Sequence, residues 1–269
     1  VTSSATARTY AKPWVSKFHP VHWDDLVGND EAVYILRTMI DHAAVPHLIL
    51  AGPPGVGKSS AITCFVRQFY PDAAQRRTAV LEINAAEENK QDVFIDKIPT
   101  FIKRARQLPD DRRAIVVLEE AENLSENAQR NLWVCMRRYA NVIFVLTGND
   151  MERLKPYILG RCCRLAFGPI RAEQLKARCG QVLDRLGVAY KASALDALCQ
   201  VANGDLRRAM NLVQMAAQSV QSVQSMPASE TTPEATKSTS GMELDGDQVY
   251  RLTWGLTVDD VVAWLQVGG

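Results

Sequence analysis

The segment Gly52-Pro53-Pro54-Gly55-Val56-Gly57-Lys58-Ser59 satisfies the pattern G-x-x-x-x-G-K-[ST] at every defined position, and nothing else in the chain restricts its fold so much. Such a loop belongs between a buried strand and a helix. Its glycines let backbone N–H groups curl around an anion, Lys58 brings a point charge, and Ser59 offers a hydroxyl to a divalent cation. The flanks comply. His47-Leu48-Ile49-Leu50-Ala51 reads as a short buried strand, and Ser59 to Val66 reads as a helix whose positive N-terminal end faces the loop. A nucleoside triphosphate with Mg²⁺ is the expected ligand, held by Gly52, Pro53, Pro54, Gly55, Val56, Gly57, Lys58, Ser59 and Ser60.

The rest of the chain extends this strand–loop–helix unit into an α/β fold. Apolar runs at Val80–Ile83, Ala114–Leu118, Val142–Leu146 and Cys163–Phe167 are separated by stretches that can be helical, which predicts a mostly parallel sheet with helices on both faces. Asn29 and Asp30 are cap candidates for a helix in which Ala32, Ile35, Leu36, Met39 and Ile40 share one face. After Gly168-Pro169 the pattern changes: Ala172–Leu186, Ser193–Val201 and Asp205–Val223 read as helices, with Gly187 and Gly204 as stop signals. The expected organisation is a loose tail over 1–13, a nucleotide-binding α/β domain over 14–169 and a small all-helical domain over 170–256. Within the last, residues 224–246 are rich in Ser, Thr, Pro and Glu and are expected to be a disordered insertion. Residues 257–269 begin another helical segment.

Composition narrows the class. With 269 residues and 47% hydrophobic content the chain can bury one large core or two smaller ones, and a net charge of +1 leaves any nucleic-acid contact to local patches. The six cysteines have neither metal-ligand spacing nor the density of a disulfide scaffold, so reduced thiols are expected. No apolar run approaches the roughly 20 residues that span a bilayer, and a membrane role is not expected.

Four motifs follow the loop in order. The strand Ile115–Leu118 ends in Glu119-Glu120-Ala121-Glu122, where one carboxylate can hold the metal, with Ser59 as its companion ligand, and the next can polarise water. Asn149 ends another apolar strand and could sense the γ-phosphate, although an Asn there is also an ordinary turn former. Arg161 precedes the fifth strand, as a solvated arginine or as a finger reaching a neighbouring subunit. Arg207 and Arg208 lie in the first turn of a helix, a placement unfavourable to the helix dipole that a bound phosphate would relieve.

With Trp14-Val15-Ser16-Lys17-Phe18-His19-Pro20, Val27-Gly28-Asn29 and Leu81-Glu82-Ile83-Asn84-Ala85, these motifs resemble the small subunits of replication factor C, the eukaryotic sliding-clamp loader, collinearly from Trp14 to Gln218. Among those subunits the chain looks nearest to the one beside the large subunit. The resemblance implies an AAA+ P-loop NTPase: a parallel sheet flanked by helices, a helical lid over 170–256, and the start of a C-terminal helical collar over 257–269. ATP or ADP would lie between sheet domain and lid, with Val15 and Val27 near the adenine, Asn149 and Arg207 as the two sensors, Glu120 as catalytic base, and Arg161 acting in trans. It further implies a nuclear hetero-pentamer that uses ATP to open the ring-shaped clamp, proliferating cell nuclear antigen, and load it on primer–template DNA.

The chain also departs from that pattern. The family's Asp-Glu-Ala-Asp is Glu119-Glu120-Ala121-Glu122 here, so the residue in the metal slot is one methylene longer. Mg²⁺ demands near-ideal octahedral geometry, and slow hydrolysis with intact binding is the expected consequence. A non-hydrolysing scaffold subunit that supplies Arg161 to its neighbour therefore stays open as an alternative to an active ATPase. Gly160 stands where the family carries Ser, Trp133 and Val134 replace paired arginines, and His19 replaces an arginine. Lys90 is the one retained cation of a loop that approaches DNA phosphates in the family.

Overall fold

The computed structural model describes residues 12–86, 96–105, 113–224 and 243–254. Its helices are α1 (Trp14–Lys17), α2 (Asp30–Asp41), α3 (Lys58–Phe69), α4 (Ala73–Ala79), α5 (Ile98–Ala105), α6 (Glu126–Arg138), α7 (Pro156–Leu159), α8 (Ala172–Arg185), α9 (Ala192–Ala202), α10 (Leu206–Gln224) and α11 (Gly246–Trp254). The strands are β1 (His47–Ala51), β2 (Val80–Asn84), β3 (Ala114–Glu119), β4 (Val142–Gly148) and β5 (Cys162–Ala166). Two compact units result, one from residues 20–171 and one from residues 12–19 together with the described residues from 172 onward.

In the first unit the strands form a single sheet in the order β2-β3-β4-β1-β5, every pairing parallel. Parallel strands covered on both faces have continuous apolar sequences, and parity decides which face each residue serves. Ile49, Val116, Leu118, Phe144 and Leu146 pack with Ile98 and Ile102 of α5 and Leu132 of α6. Their neighbours Leu48, Leu50, Ile115, Val117, Ile143 and Val145 pack with Leu36 of α2 and Ile62 and Phe65 of α3. Because β4 lies between β1 and β3, the ends of the phosphate-loop strand and the acidic strand flank the end of β4 at one edge.

The opposite edge has its own polar groups. Arg113, just before β3, donates through Nη1 to the Val45 carbonyl and through Nη2 to the Val142 carbonyl (3.4 Å), and its own carbonyl accepts from Tyr70 Oη at 2.7 Å. His47 Nδ1 accepts the Phe144 N–H at 3.2 Å, and the two rings meet edge to face. Burial first, then the nearby positive charges of Arg113 and Arg161, hold the His47 imidazole below its usual pKa. Burial pushes the Cys64 and Cys135 thiols up to about 11 and those of Cys162 and Cys179 up to about 12, so these side chains behave as small apolar groups.

The helical unit is built on α8 to α11, with α1 joining it: the Trp14 N–H donates to Gln214 Oε1 at 2.8 Å, and Arg178 Nη2 donates to the Phe18 carbonyl at 3.2 Å. Trp14 thus groups with the helices after residue 172 rather than with the sheet. The reading of 224–246 as one unpacked stretch is corrected at its end. Leu244 is fully buried, its N–H donates to the Ala189 carbonyl at 2.9 Å, and its carbonyl accepts from the Lys191 N–H at 2.8 Å. A single leucine between polar neighbours vanishes in a composition average, yet one bridge and one pocket suffice to fix it. Residues 225–242 and 257–269, which hold the rest of the expected insertion and the expected collar helix, lie outside the described residues.

Candidate nucleotide-binding site

The loop between β1 and α3 takes its shape from three glycines. Gly55 and Gly57 have φ of 70° and 98°, the left-handed region that side chains disfavour. Gly52 is required for another reason: a Cβ there would lie 2.0 Å from the Phe167 carbonyl oxygen. The loop is tied down from both sides, since the Gly52 N–H donates to the Gly148 carbonyl at 3.2 Å and the Phe167 N–H to the Ala51 carbonyl at 2.7 Å. The N–H groups of Gly55, Val56 and Gly57 donate to no acceptor among the described residues. Backbone donors on a left-handed loop at the N-terminus of a helix are the donor set a polyphosphate needs, so the residues present fit a nucleotide.

Lys58 Nζ donates to the carbonyls of Gly52 and Pro53 and to Asn149 Oδ1 at 3.0 Å. The loop lysine and the amide at the end of β4 therefore meet. Asn149 is held from behind: its N–H donates to Glu122 Oε1 at 2.9 Å. At the end of β3, Glu119 pairs in register with Asn84, and Glu120 takes φ of 52°, a left-handed conformation that costs a non-glycine residue energy and collects at functional sites. The Glu120 carboxylate accepts from Asn123 Nδ2 at 3.1 Å. Glu82, half-buried on β2, has its carboxyl pushed up, first by burial and then by the Glu119 charge. Crowded carboxylates and the Ser59 hydroxyl are hard oxygen donors of the kind Mg²⁺ takes.

Several site residues carry more than the sequence shows. Asn29 was expected as a cap for α2, but its side chain makes no cap bond. Instead it sits at φ 56°, donates through Nδ2 to the carbonyls of Val56 (3.1 Å) and Gly168 (3.2 Å), and accepts the Gly168 N–H at 2.7 Å. Asparagine is among the few non-glycine residues that tolerate the left-handed region. Gly160 has an ordinary φ of −70° at the end of α7, and its N–H donates to the Pro156 carbonyl at 2.9 Å. Arg161 is exposed. On α6, Trp133 meets Tyr157 edge to face, Arg137 lies over Trp133 at 4.8 Å, and Val134 is half exposed. Val27 is half-buried in the α/β unit.

Val15 and Arg207 lie in the helical unit, half-buried and exposed respectively. The basic first turn of α10 is corrected in one respect: Asp205 Oδ1 accepts the Arg208 N–H at 2.9 Å, so a local carboxylate already answers the helix dipole. Lys90 lies outside the described residues.

Fold and site together define an AAA+ nucleotide-binding module. Residues 48–169 match the family described as ATPase family associated with various cellular activities (AAA). A solved structure of the Thermotoga maritima RuvB Holliday junction branch migration motor superposes with a TM-score of 0.66, covering 90% of this chain and 74% of that one at 17% identity, which speaks for the fold alone. Similar curated proteins include replication factor C subunits, the family the sequence resembles. A replication factor C small subunit from Methanococcus vannielii is 29% identical over 264 residues, 93% of this chain and 83% of that protein. Replication factor C subunit 3 of Saccharomyces cerevisiae is 33% identical over 203 residues, 75% of this chain and 59% of that protein. Subunit 4 from Schizosaccharomyces pombe is 33% identical over 206 residues, 76% of this chain and 60% of that protein. Among the described residues no helix is long and apolar enough to cross a membrane.

Proposed function

We propose that this chain is an ATP-binding subunit of a nuclear sliding-clamp loader, working in a hetero-pentamer that opens proliferating cell nuclear antigen and places it on primer–template DNA. The observation that carries the reading is the convergence of Lys58 Nζ and Asn149 Oδ1 at 3.0 Å on a phosphate loop, in a chain similar to replication factor C small subunits over most of its length. In this reading the loop N–H groups and Lys58 hold the β- and γ-phosphates, and Lys58 exchanges its bonds to the Gly52 and Pro53 carbonyls for phosphate oxygens. Asn149, held by Glu122, presents its amide to the γ-phosphate. Ser59 and Glu119 would hold Mg²⁺, which when bound neutralises phosphate charge. Glu120 orients the attacking water, and Arg161 reaches the nucleotide of an adjacent subunit. Val15, Val27 and Arg207 serve the adenine and the phosphates, and Lys90 the DNA backbone.

A second reading has its own support. Glu119 is longer than the aspartate such sites carry, and Glu120 is engaged by Asn123. Both favour a subunit that binds nucleotide, turns it over slowly or not at all, and lends Arg161 to its neighbour. ATP turnover of the assembled complex separates the two: Lys58→Ala and Arg161→Ala both lower it if this site is active, and only Arg161→Ala does so if the chain is a scaffold. Recovery of neither loader subunits nor clamp with the tagged chain would remove the clamp-loader proposal itself.

A further inference from the structure

Glu122 is the third carboxylate of the acidic stretch and touches neither phosphate nor metal in that reading, yet it is placed with unusual constraint. Its Oε1 accepts the Asn149 N–H at 2.9 Å. Its Oε2 is buried with no hydrogen-bond partner among the described residues, which is a costly state for a carboxylate oxygen. That oxygen occupies the space a side chain at position 148 would take: a Cβ built on Gly148 would stand 2.0 Å from Glu122 Oε2 and 3.0 Å from its Cδ. The Met151 terminal methyl, at 2.2 Å, is the end of a flexible chain and can turn aside. The carboxylate can turn aside only by giving up the Asn149 N–H.

We propose that Glu122 is a positioning residue for Asn149, and that Gly148 is glycine so that this carboxylate can reach the Asn149 backbone. The bond fixes the peptide from which the Asn149 side chain springs, and that side chain meets Lys58 at 3.0 Å. Glu122 and Gly148 form one device, reaching across from the loop after β3 to the end of β4, that sets where the sensing amide stands relative to the loop lysine. The inference rests on the reading of Asn149 as the group that distinguishes a triphosphate from a diphosphate.

The test uses the full chain and compares dissociation constants for ATPγS and ADP in the presence of Mg²⁺. Glu122→Asp withdraws the acceptor and is expected to lower the preference for ATPγS roughly tenfold, the scale of a lost hydrogen bond to a charged group. Gly148→Ala, which leaves Glu122 intact but pushes it off the Asn149 N–H, should lower it similarly. Glu122→Gln keeps both shape and acceptor and should retain most of the preference. The double variant Glu122→Asp/Gly148→Ala should be no worse than Glu122→Asp alone, because the shorter side chain no longer meets the added methyl. A purely structural role would lower the melting temperature in these variants and leave the ratio of the two constants unchanged. That result, or strictly additive losses in the double variant, overturns the inference. Asn149→Ala keeps the two readings apart: if it leaves the ratio unchanged, the assignment of Asn149 fails and the inference with it. If it lowers the ratio while Glu122→Asp and Gly148→Ala do not, only the inference falls. Should Glu122→Asp fold poorly, Gly148→Ala against Glu122→Gln decides alone.

Discussion

The two edges of the sheet both carry a lysine or arginine bonded to backbone carbonyls, and they use it in opposite ways. At the C-terminal edge Lys58 rests on the carbonyls of Gly52 and Pro53 beside an exposed asparagine, on a loop whose Gly55, Val56 and Gly57 N–H groups have no acceptor among the described residues. At the N-terminal edge Arg113 joins the carbonyls of Val45 and Val142, and burial pulls its pKa down. A flexible ammonium on an accessible loop can trade partners. A half-buried guanidinium whose bonds bind separate segments together cannot, because leaving either carbonyl unpaired is costly. The same pairing of cation and carbonyl is a ready ligand site at one edge and a brace at the other.

The comparison breaks if charge removal has the same effect at both edges. Lys58→Ala should weaken nucleotide binding about 100-fold or more, with little change in melting temperature, as titration with a fluorescent nucleotide and a thermal scan would report. Arg113→Met should do the reverse, costing roughly 2–3 kcal/mol in urea unfolding because backbone carbonyls lose their donor, with nucleotide affinity held. A smaller effect sharpens the C-terminal edge: Glu119→Asp should raise ATP turnover of the assembled complex, by roughly tenfold if the extra methylene displaces Mg²⁺. An unchanged rate would put the restraint elsewhere.

The smallest effect belongs to His47. Its folded pKa is depressed, so the unfolded chain takes a proton that the folded chain resists; stability from this group is complete above the unfolded value near 6.5 and is lost as pH falls below it. Denaturant titrations between pH 7.5 and 5 should show that slope in the wild type and a flatter one in His47→Gln.

What the sequence disclosed follows from how local each feature is. The phosphate loop and the apolar strands are written in contiguous residues, and the five runs are found as strands of a parallel sheet. The order β2-β3-β4-β1-β5 is a non-local fact, and everything that depends on it was hidden. Glu122 meets Asn149 only because β4 lies beside β3, and Arg113 looks like an ordinary charge at the start of a strand until β4 and the residues before β1 are placed around it. Asn29 was read by its neighbours as a cap. Its partners Val56 and Gly168 are 27 and 139 residues away.

That last separation has a meaning for folding. The phosphate loop is pinned through Asn29 to Gly168, two residues beyond β5, so its final shape depends on a contact that closes a very long stretch of chain. Contacts of such range form late, after loop-closure entropy has been overcome by the rest of the sheet. A chain still leaving the ribosome, with β1 and α3 already made but β5 not yet added, would carry the full Gly52–Ser59 motif and lack its finished geometry. Nucleotide affinity in a series of C-terminal truncations should therefore rise abruptly once Gly168 is included, making ligand binding a readout of sheet completion.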